Sequence, residues 1–156
     1  MFATNNTARV HISDTGIVTK PNQPAFHAYN PGGSIADGSN VILGSTYVNT
    51  GSHYSTTNGR FTAPVAGVYL FFWSAIGNAA ADVYRWFLRK NGGALGDIHL
   101  RQDTSGSGTA YATNGARVQI VSLSASDYVS IYYDSDGGTA AYYQGEYVIF
   151  GGYLIG

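Results

Sequence analysis

The sequence predicts an all-β fold, a ten-stranded jelly-roll β-sandwich. Three observations predict it. Apolar and polar residues alternate at period two through most segments. Clusters of glycine, asparagine and proline separate those segments at regular intervals, and no stretch sustains a helical period. The 156 residues suit one domain. With 13 tyrosines and charged residues at only 11%, the chain is unlike a disordered one, which is rich in charge and poor in aromatics.

The first elements are sparse. Ala8 to Ser13 alternates as a half-exposed strand, Asp14-Thr15-Gly16 marks a turn, and Ile17 to Thr19 forms a second short strand. Pro21 and Pro24 bracket a linker. Residues 1–23 therefore read as an N-terminal linker or shaft-like segment with a short hairpin, and residues 24–156 as a head domain.

In the head, Ala25 to Tyr29 is a strand that stops at Asn30-Pro31-Gly32-Gly33, and Val41 to Val48 forms the next. Asn58-Gly59 makes a hairpin turn, because both residues accept positive backbone angles. Gly67 to Trp73 follows, with Tyr69, Phe71 and Trp73 on one face and Val68, Leu70 and Phe72 on the other. Neither face carries a charge, so this strand is expected to be buried on both sides in the middle of a sheet. Ser74 to Asp82 is expected to be a loop despite its alanines. Val83 to Arg89 places Arg85 and Arg89 on one face and Tyr84, Trp86 and Leu88 on the other. Asp97 to Gln102 reads as a polar edge strand leading into an exposed loop at 103–108. Val118 to Leu123 and Tyr128 to Tyr133 are strands about the turn at 124–127, and Asp134 to Ala141 is a second exposed loop. The last strand, Glu146 to Ile155, sets Val148, Phe150 and Leu154 against Tyr147, Ile149, Tyr153 and Ile155. One set fills the core. The other is too apolar for water and marks Tyr147, Ile149, Tyr153 and Ile155 as an interface between copies of the chain.

Composition narrows the partners. A net charge of −1 with scattered lysines and arginines leaves no electrostatic footprint for nucleic acid. Without cysteine there can be no disulfide or thiolate metal site. The opening MFATNNTARV lacks the charged start and apolar core of a secretory signal, and no apolar run approaches the ~20 residues of a membrane helix.

Asn49, Tyr54, Phe61, Gly67, Tyr69 and Phe71 fall at the spacing of a known signature. It resembles that of the C1q-like globular head domain, a relative of the TNF jelly roll. Leu43 and Trp73 stand where that family carries other bulky residues, and Ala63 where many animal members carry cysteine. Ser124 to Ile131 and the closing Phe150-Gly-Gly152-Tyr153-Leu154 extend the resemblance over nearly the whole head. It implies a homotrimer with the inner sheet packed about a three-fold axis. The passage from Ala8 to Phe26, ARVHISDTGIVTKPNQPAF, resembles the junction of shaft and head in bacteriophage tail fibres.

Catalytic patterns are missing. His11, His27, His53 and His99 show no metal-ligand spacing, Gly106-Ser107-Gly108 lacks the context of a nucleophile elbow, and no phosphate loop occurs. No enzyme is expected. Asp134 and Asp136 are weak metal candidates, since calcium takes several hard oxygens from a loop, and some members of the resembled family bind calcium. No other cofactor is implied. Recognition falls to loops on a rigid scaffold, with His99, Arg101, Asp103, Tyr111, Asp134, Asp136 and Tyr142 as ligand-binding candidates. Aromatic faces stack on sugar rings, and aspartate or arginine hydrogen-bonds their hydroxyls.

The expectation is a receptor-binding head at the tip of a virion tail fibre. Its partners would be two further copies of itself and a bacterial surface polysaccharide or protein receptor. The alternatives are a secreted C1q/TNF-like ligand, a structural trimerisation cap, and a polysaccharide-degrading tip.

Overall fold

The computed structural model describes residues 2–5, 7–75, 83–103, 115–136, 140–142 and 147–156. They form sixteen strands and no helix. Three lie before the head: β1 (Phe2–Thr4), β2 (Thr7–Ile12) and β3 (Val18–Thr19). These make a small antiparallel sheet in that order. The Ser13–Gly16 turn between β2 and β3 is closed by Ser13, whose Oγ accepts from the Ile17 N–H at 2.9 Å.

The head opens with β4 (Ala25–Tyr29), β5 (Gly33–Ile35), β6 (Ser39–Asn40), β7 (Ser45–Thr50) and β8 (Tyr54–Ser55). It continues with β9 (Arg60–Thr62), β10 (Gly67–Ala75), β11 (Val83–Lys90), β12 (Gly93–Asp103) and β13 (Gly115–Leu123). It closes with β14 (Tyr128–Ser135), β15 (Ala140–Tyr142) and β16 (Ile149–Leu154). An inner sheet has the order β13-β10-β16-β4-β7. An outer sheet has the order β12-β11-β14-β9-β8, with β6 also on β14, and β15 pairs β5 apart from both. These two packed antiparallel sheets are the predicted jelly-roll sandwich. The strands outnumber ten because of the N-terminal sheet and several segments of two or three residues.

The core is aromatic because alternation points one ring per two residues inward from each sheet. Tyr69, Phe71 and Trp73 of β10 are wholly buried, as are Tyr84 and Trp86 of β11. Phe26 sits at the centre, stacked on Tyr54 at 5.0 Å and on Phe61 at 4.9 Å, with Phe150 edge-on at 4.8 Å. Such pairs contribute about 0.5–1.5 kcal/mol each beyond the area they bury.

Three expectations change. The segment expected as one strand from Val41 to Val48 is irregular as far as Gly44, and β7 begins at Ser45. Val41 and Leu43 are buried there, and the Tyr54 hydroxyl satisfies the Leu43 backbone by donating to its carbonyl and accepting from its N–H. Strand β10 lies mid-sheet, between β13 and β16, but only one of its faces is covered within the chain. Val68 is exposed and Leu70 and Phe72 are half-buried, because among the described residues no element lies over that side of the inner sheet. The last strand is shorter than Glu146 to Ile155, running Ile149–Leu154, and its alternation is as expected near each end. Val148 and Phe150 are buried, while Tyr147, Tyr153 and Ile155 are exposed.

The middle of β16 is Gly151-Gly152, and crowding on both faces explains why. A Cβ on Gly151 would meet the Phe72 ring at 2.2 Å. One on Gly152 would meet the Phe71 ring at 2.6 Å and the Leu70 carbonyl oxygen at 2.7 Å. Phe72 therefore lies across the open face over Gly151, and Phe71 lies across the core over Gly152.

Candidate binding faces

The sandwich presents two outward faces of opposite chemistry. On the inner sheet, Val118 and Ile120 of β13 are 60% and 62% exposed. They sit opposite Phe72 and Leu70, and Leu70 in turn sits opposite Tyr153. The apolar surface continues across Gly151 to His27 and Tyr47. His27 meets Phe72 at 5.7 Å and Tyr47 at 5.2 Å, and Tyr47 stacks on Tyr29 at 4.3 Å. The His27 Nε2 is buried on this face without a hydrogen-bond partner. Of the interface candidates, Tyr147, Tyr153 and Ile155 are exposed and Ile149 is half-buried.

The outer sheet faces solvent with charge and rings. Strand β11 sends Arg85, Phe87 and Arg89 outward, between Arg101 and His99 on β12 and Asp134, Tyr132 and Ser130 on β14. Arg85 bridges two carboxylates, donating from Nη1 to Asp134 Oδ2 and from Nη2 to Asp136 Oδ1, both at 2.8 Å. The hydrogen bonds to Asp136 and Asp134 push the guanidinium pKa above its ordinary value. Phe87 packs on His99 at 4.7 Å and Tyr132 at 5.4 Å. Arg89 covers Tyr132, and Arg60 of β9 covers Tyr128. At the β13–β14 turn, Lys90 reaches Asp127 at 2.8 Å, while Asp127 also accepts from Asn91 Nδ2 and the Ser124 N–H. Those three contacts, Lys90 foremost, hold the Asp127 pKa down at about 2.

Most of the ligand-binding candidates among the described residues lie on strands. His99, Arg101 and Asp103 are on strand β12, Asp134 is near the end of β14, and Tyr142 ends β15. Asp136 follows β14 in a bend. Tyr111 lies outside the described residues. The structure brings His99, Arg101, Asp134 and Asp136 onto one sheet face, whereas Tyr142 is paired with Gly33. Strand pairing runs further than turn residues indicate, which is why polar segments taken for loops belong to the sheet. Sequence reading missed Phe87, Arg60, Tyr128 and Tyr132 as parts of this face. It also missed the roles of Arg85 and Arg89, although their shared side of β11 was legible.

The Asp134 and Asp136 pair fits calcium poorly. Arg85 occupies an oxygen of each, and among the described residues no three His, Asp or Glu side chains cluster as a metal site. Both carboxylates serve a guanidinium instead.

Two aromatic-cored sheets with these edge strands define a jelly roll of the C1q type. Residues 25–155 match the C1q domain model, and the chain belongs to that family. Among solved structures it is similar to the globular domain of zebrafish complement 1qA protein, with 20% identity and a TM-score of 0.65. That match covers 86% of this chain and 98% of the other. It is similar to the Eiger TNF of S. frugiperda at 14% identity and TM-score 0.63, covering 86% and 94%. Murine APRIL is similar at 13% identity and TM-score 0.64, covering 85% and 99%. These likenesses establish the fold. No curated protein matches the chain.

Proposed function

We propose that this chain is the trimeric receptor-binding head of a bacteriophage tail fibre, adhering to a glycan on the bacterial surface. The observation that carries the reading is the opposite chemistry of the two sheet faces. Three copies packed through the apolar inner sheets, the arrangement the C1q family implies, would shield Val118, Ile120 and Tyr153 from water. The outer sheets, with their arginines and rings, would then point away from the axis toward a ligand. Three identical sites turn weak sugar contacts into firm adsorption. Residues 1–23 would be the end of the shaft, and their own small sheet, outside the family match, supports that division. The role is adhesion rather than catalysis.

The test is to label the purified protein and measure its binding to a panel of intact bacteria, with and without surface polysaccharide. Saturable binding to some strains, lost with the polysaccharide, is the expected result. Binding to no strain would overturn the reading in favour of a cellular ligand or a structural cap.

A further inference from the structure

We propose that the outer sheet binds an acidic polysaccharide through Arg60 and Arg89. This rests on the adhesive reading above and names its ligand class. Ser130 of β14 is in register with Arg89 on one side and Arg60 on the other. The two arginines thus flank one strand, with α-carbons about 10 Å apart at ordinary strand spacing.

Each guanidinium is laid on a tyrosine of the intervening strand. The Arg89 Cζ is 3.4 Å from the Tyr132 ring centroid, and the Arg60 Cζ is 4.1 Å from that of Tyr128. In both arginines the Nε is buried with no hydrogen-bond partner, so the polar edge left to each fork is its Nη end. The ion pairs among the described residues use Arg85 and Lys90 and occupy Asp134, Asp136 and Asp127. Among the described residues Arg60 and Arg89 therefore have no ion-pair partner, and they place two positive charges on one face of a chain whose net charge is −1.

A stacked guanidinium has already lost rotamer freedom and part of its hydration, so capturing an anion costs less there. Its planar fork matches a carboxylate, sulfate or phosphate in two parallel hydrogen bonds. Tyr128 and Tyr132 are four residues apart, about 13 Å along the strand, so two such forks suit an extended ligand with recurring charges. A nucleic acid fits less well. Single strands bind by stacking bases on open aromatic faces, and here guanidiniums cover those rings. A polymer of acidic sugars needs no such stacking.

The experiment measures binding of the purified chain to polygalacturonate, dextran sulfate, neutral dextran and single-stranded DNA, at low and physiological salt. We expect both acidic polysaccharides to bind and neutral dextran and DNA to bind at least tenfold more weakly. Arg60→Gln and Arg89→Gln should each lose about tenfold in affinity, the size of one charged hydrogen-bonding group. Arg89→Lys should fail to restore binding, since it keeps the charge and loses the fork. Lys20→Gln, a charge-matched control on the N-terminal segment, should bind as wild type. Unchanged circular dichroism in every variant separates loss of binding from loss of fold. Wild-type affinity in Arg60→Gln and Arg89→Gln, a tenfold loss in Lys20→Gln, or DNA binding as tight as polygalacturonate would each overturn the proposal. Adsorption to bacteria that survives both arginine substitutions would leave the adhesive reading standing while removing this one. Binding to acidic polysaccharide without adsorption to any strain would do the reverse.

Discussion

Asn49 satisfies both backbone groups of Tyr54 with one side chain. Its Nδ2 donates to the Tyr54 carbonyl at 2.9 Å and its Oδ1 accepts from the Tyr54 N–H at 3.0 Å. The bracket closes a turn in which Gly51 and Ser52 both take positive φ, at 78° and 57°. It also aims the Tyr54 ring into the core, where burial pushes its hydroxyl pKa up to about 12. Asparagine alone supplies a donor and an acceptor in this geometry. Asn49→Ala should cost about 1–3 kcal/mol. Asn49→Asp should cost at least as much, because a carboxylate oxygen would face the Tyr54 carbonyl. Thermal unfolding checks both, and a midpoint within a degree or so of wild type would refute the bracket's importance.

The two central glycines of β16 should respond differently to the same methyl group. Gly152→Ala drives a Cβ into the Leu70 carbonyl and the packed Phe71 ring, a fixed surface, and should cost about 3 kcal/mol or more. Gly151→Ala meets first the Phe72 ring on the open face, a side chain that can swing aside. It should cost less in the folding of one chain and disturb association instead. Urea unfolding and light scattering on the two variants distinguish these outcomes, and equal losses in both assays would contradict the assignment of faces.

Asp127 ties stability to acid pH. Its folded pKa is held near 2, below the ordinary carboxylate value of 3.8. Its contribution is therefore fully present above about 4 and is lost as pH falls through about 2. Lys90, Asn91 and Ser124 all hold the charged form, so Asp127→Asn should flatten the loss of stability across that window. Parallel acid titrations followed by circular dichroism read it. Superimposable curves would mean that the contacts do not favour the carboxylate.

Ile120→Asp tests the inner face. Ile120 is exposed in the single chain, so the substitution should hardly change its folding. Within a three-fold assembly it would bury a carboxylate in apolar surface three times over. Light scattering should report a fall from trimer to monomer mass, with the circular dichroism spectrum kept. A trimer that persists would place the interface elsewhere.

Much of the fold was legible because alternation is local. The buried set of β10, the two faces of β16 and the placement of Arg85 and Arg89 on one side of β11 each follow from period two within a few residues. The irregular run at Val41–Leu43 was not legible. It is apolar enough to pass for strand, and its backbone bonds reach residues distant in sequence, the Val41 N–H to the Ile131 carbonyl and the Leu43 groups to the Tyr54 hydroxyl. The Arg60–Tyr128 and Arg89–Tyr132 stacks were hidden for a related reason. They depend on the register of β9 and β11 against β14, and register belongs to pairs of strands that are far apart in sequence. His99 and Arg101 were legible on the polar edge strand that β12 contains, whereas Asp103 and Asp134 were placed in loops and belong to β12 and β14, since polarity marks solvent contact on a sheet face as readily as in a turn.

Pro24 leads into β4 beside the end of β16, where the Leu154 N–H donates to the Pro24 carbonyl at 3.1 Å and Gln23 Nε2 donates to the Leu154 carbonyl. Strand β4 then runs lengthwise through the sheet, in register with β16 from Ala25–Tyr153 to Tyr29–Ile149 and with β7 on its other side. Tension applied through the N-terminal segment, against a grip at the opposite pole, would pull along that strand. It would load the hydrogen bonds on both edges in shear and together, instead of peeling them one at a time. A head hung from its first strand in this way would resist mechanical extraction through those two edges more than through the ion pairs of its described residues.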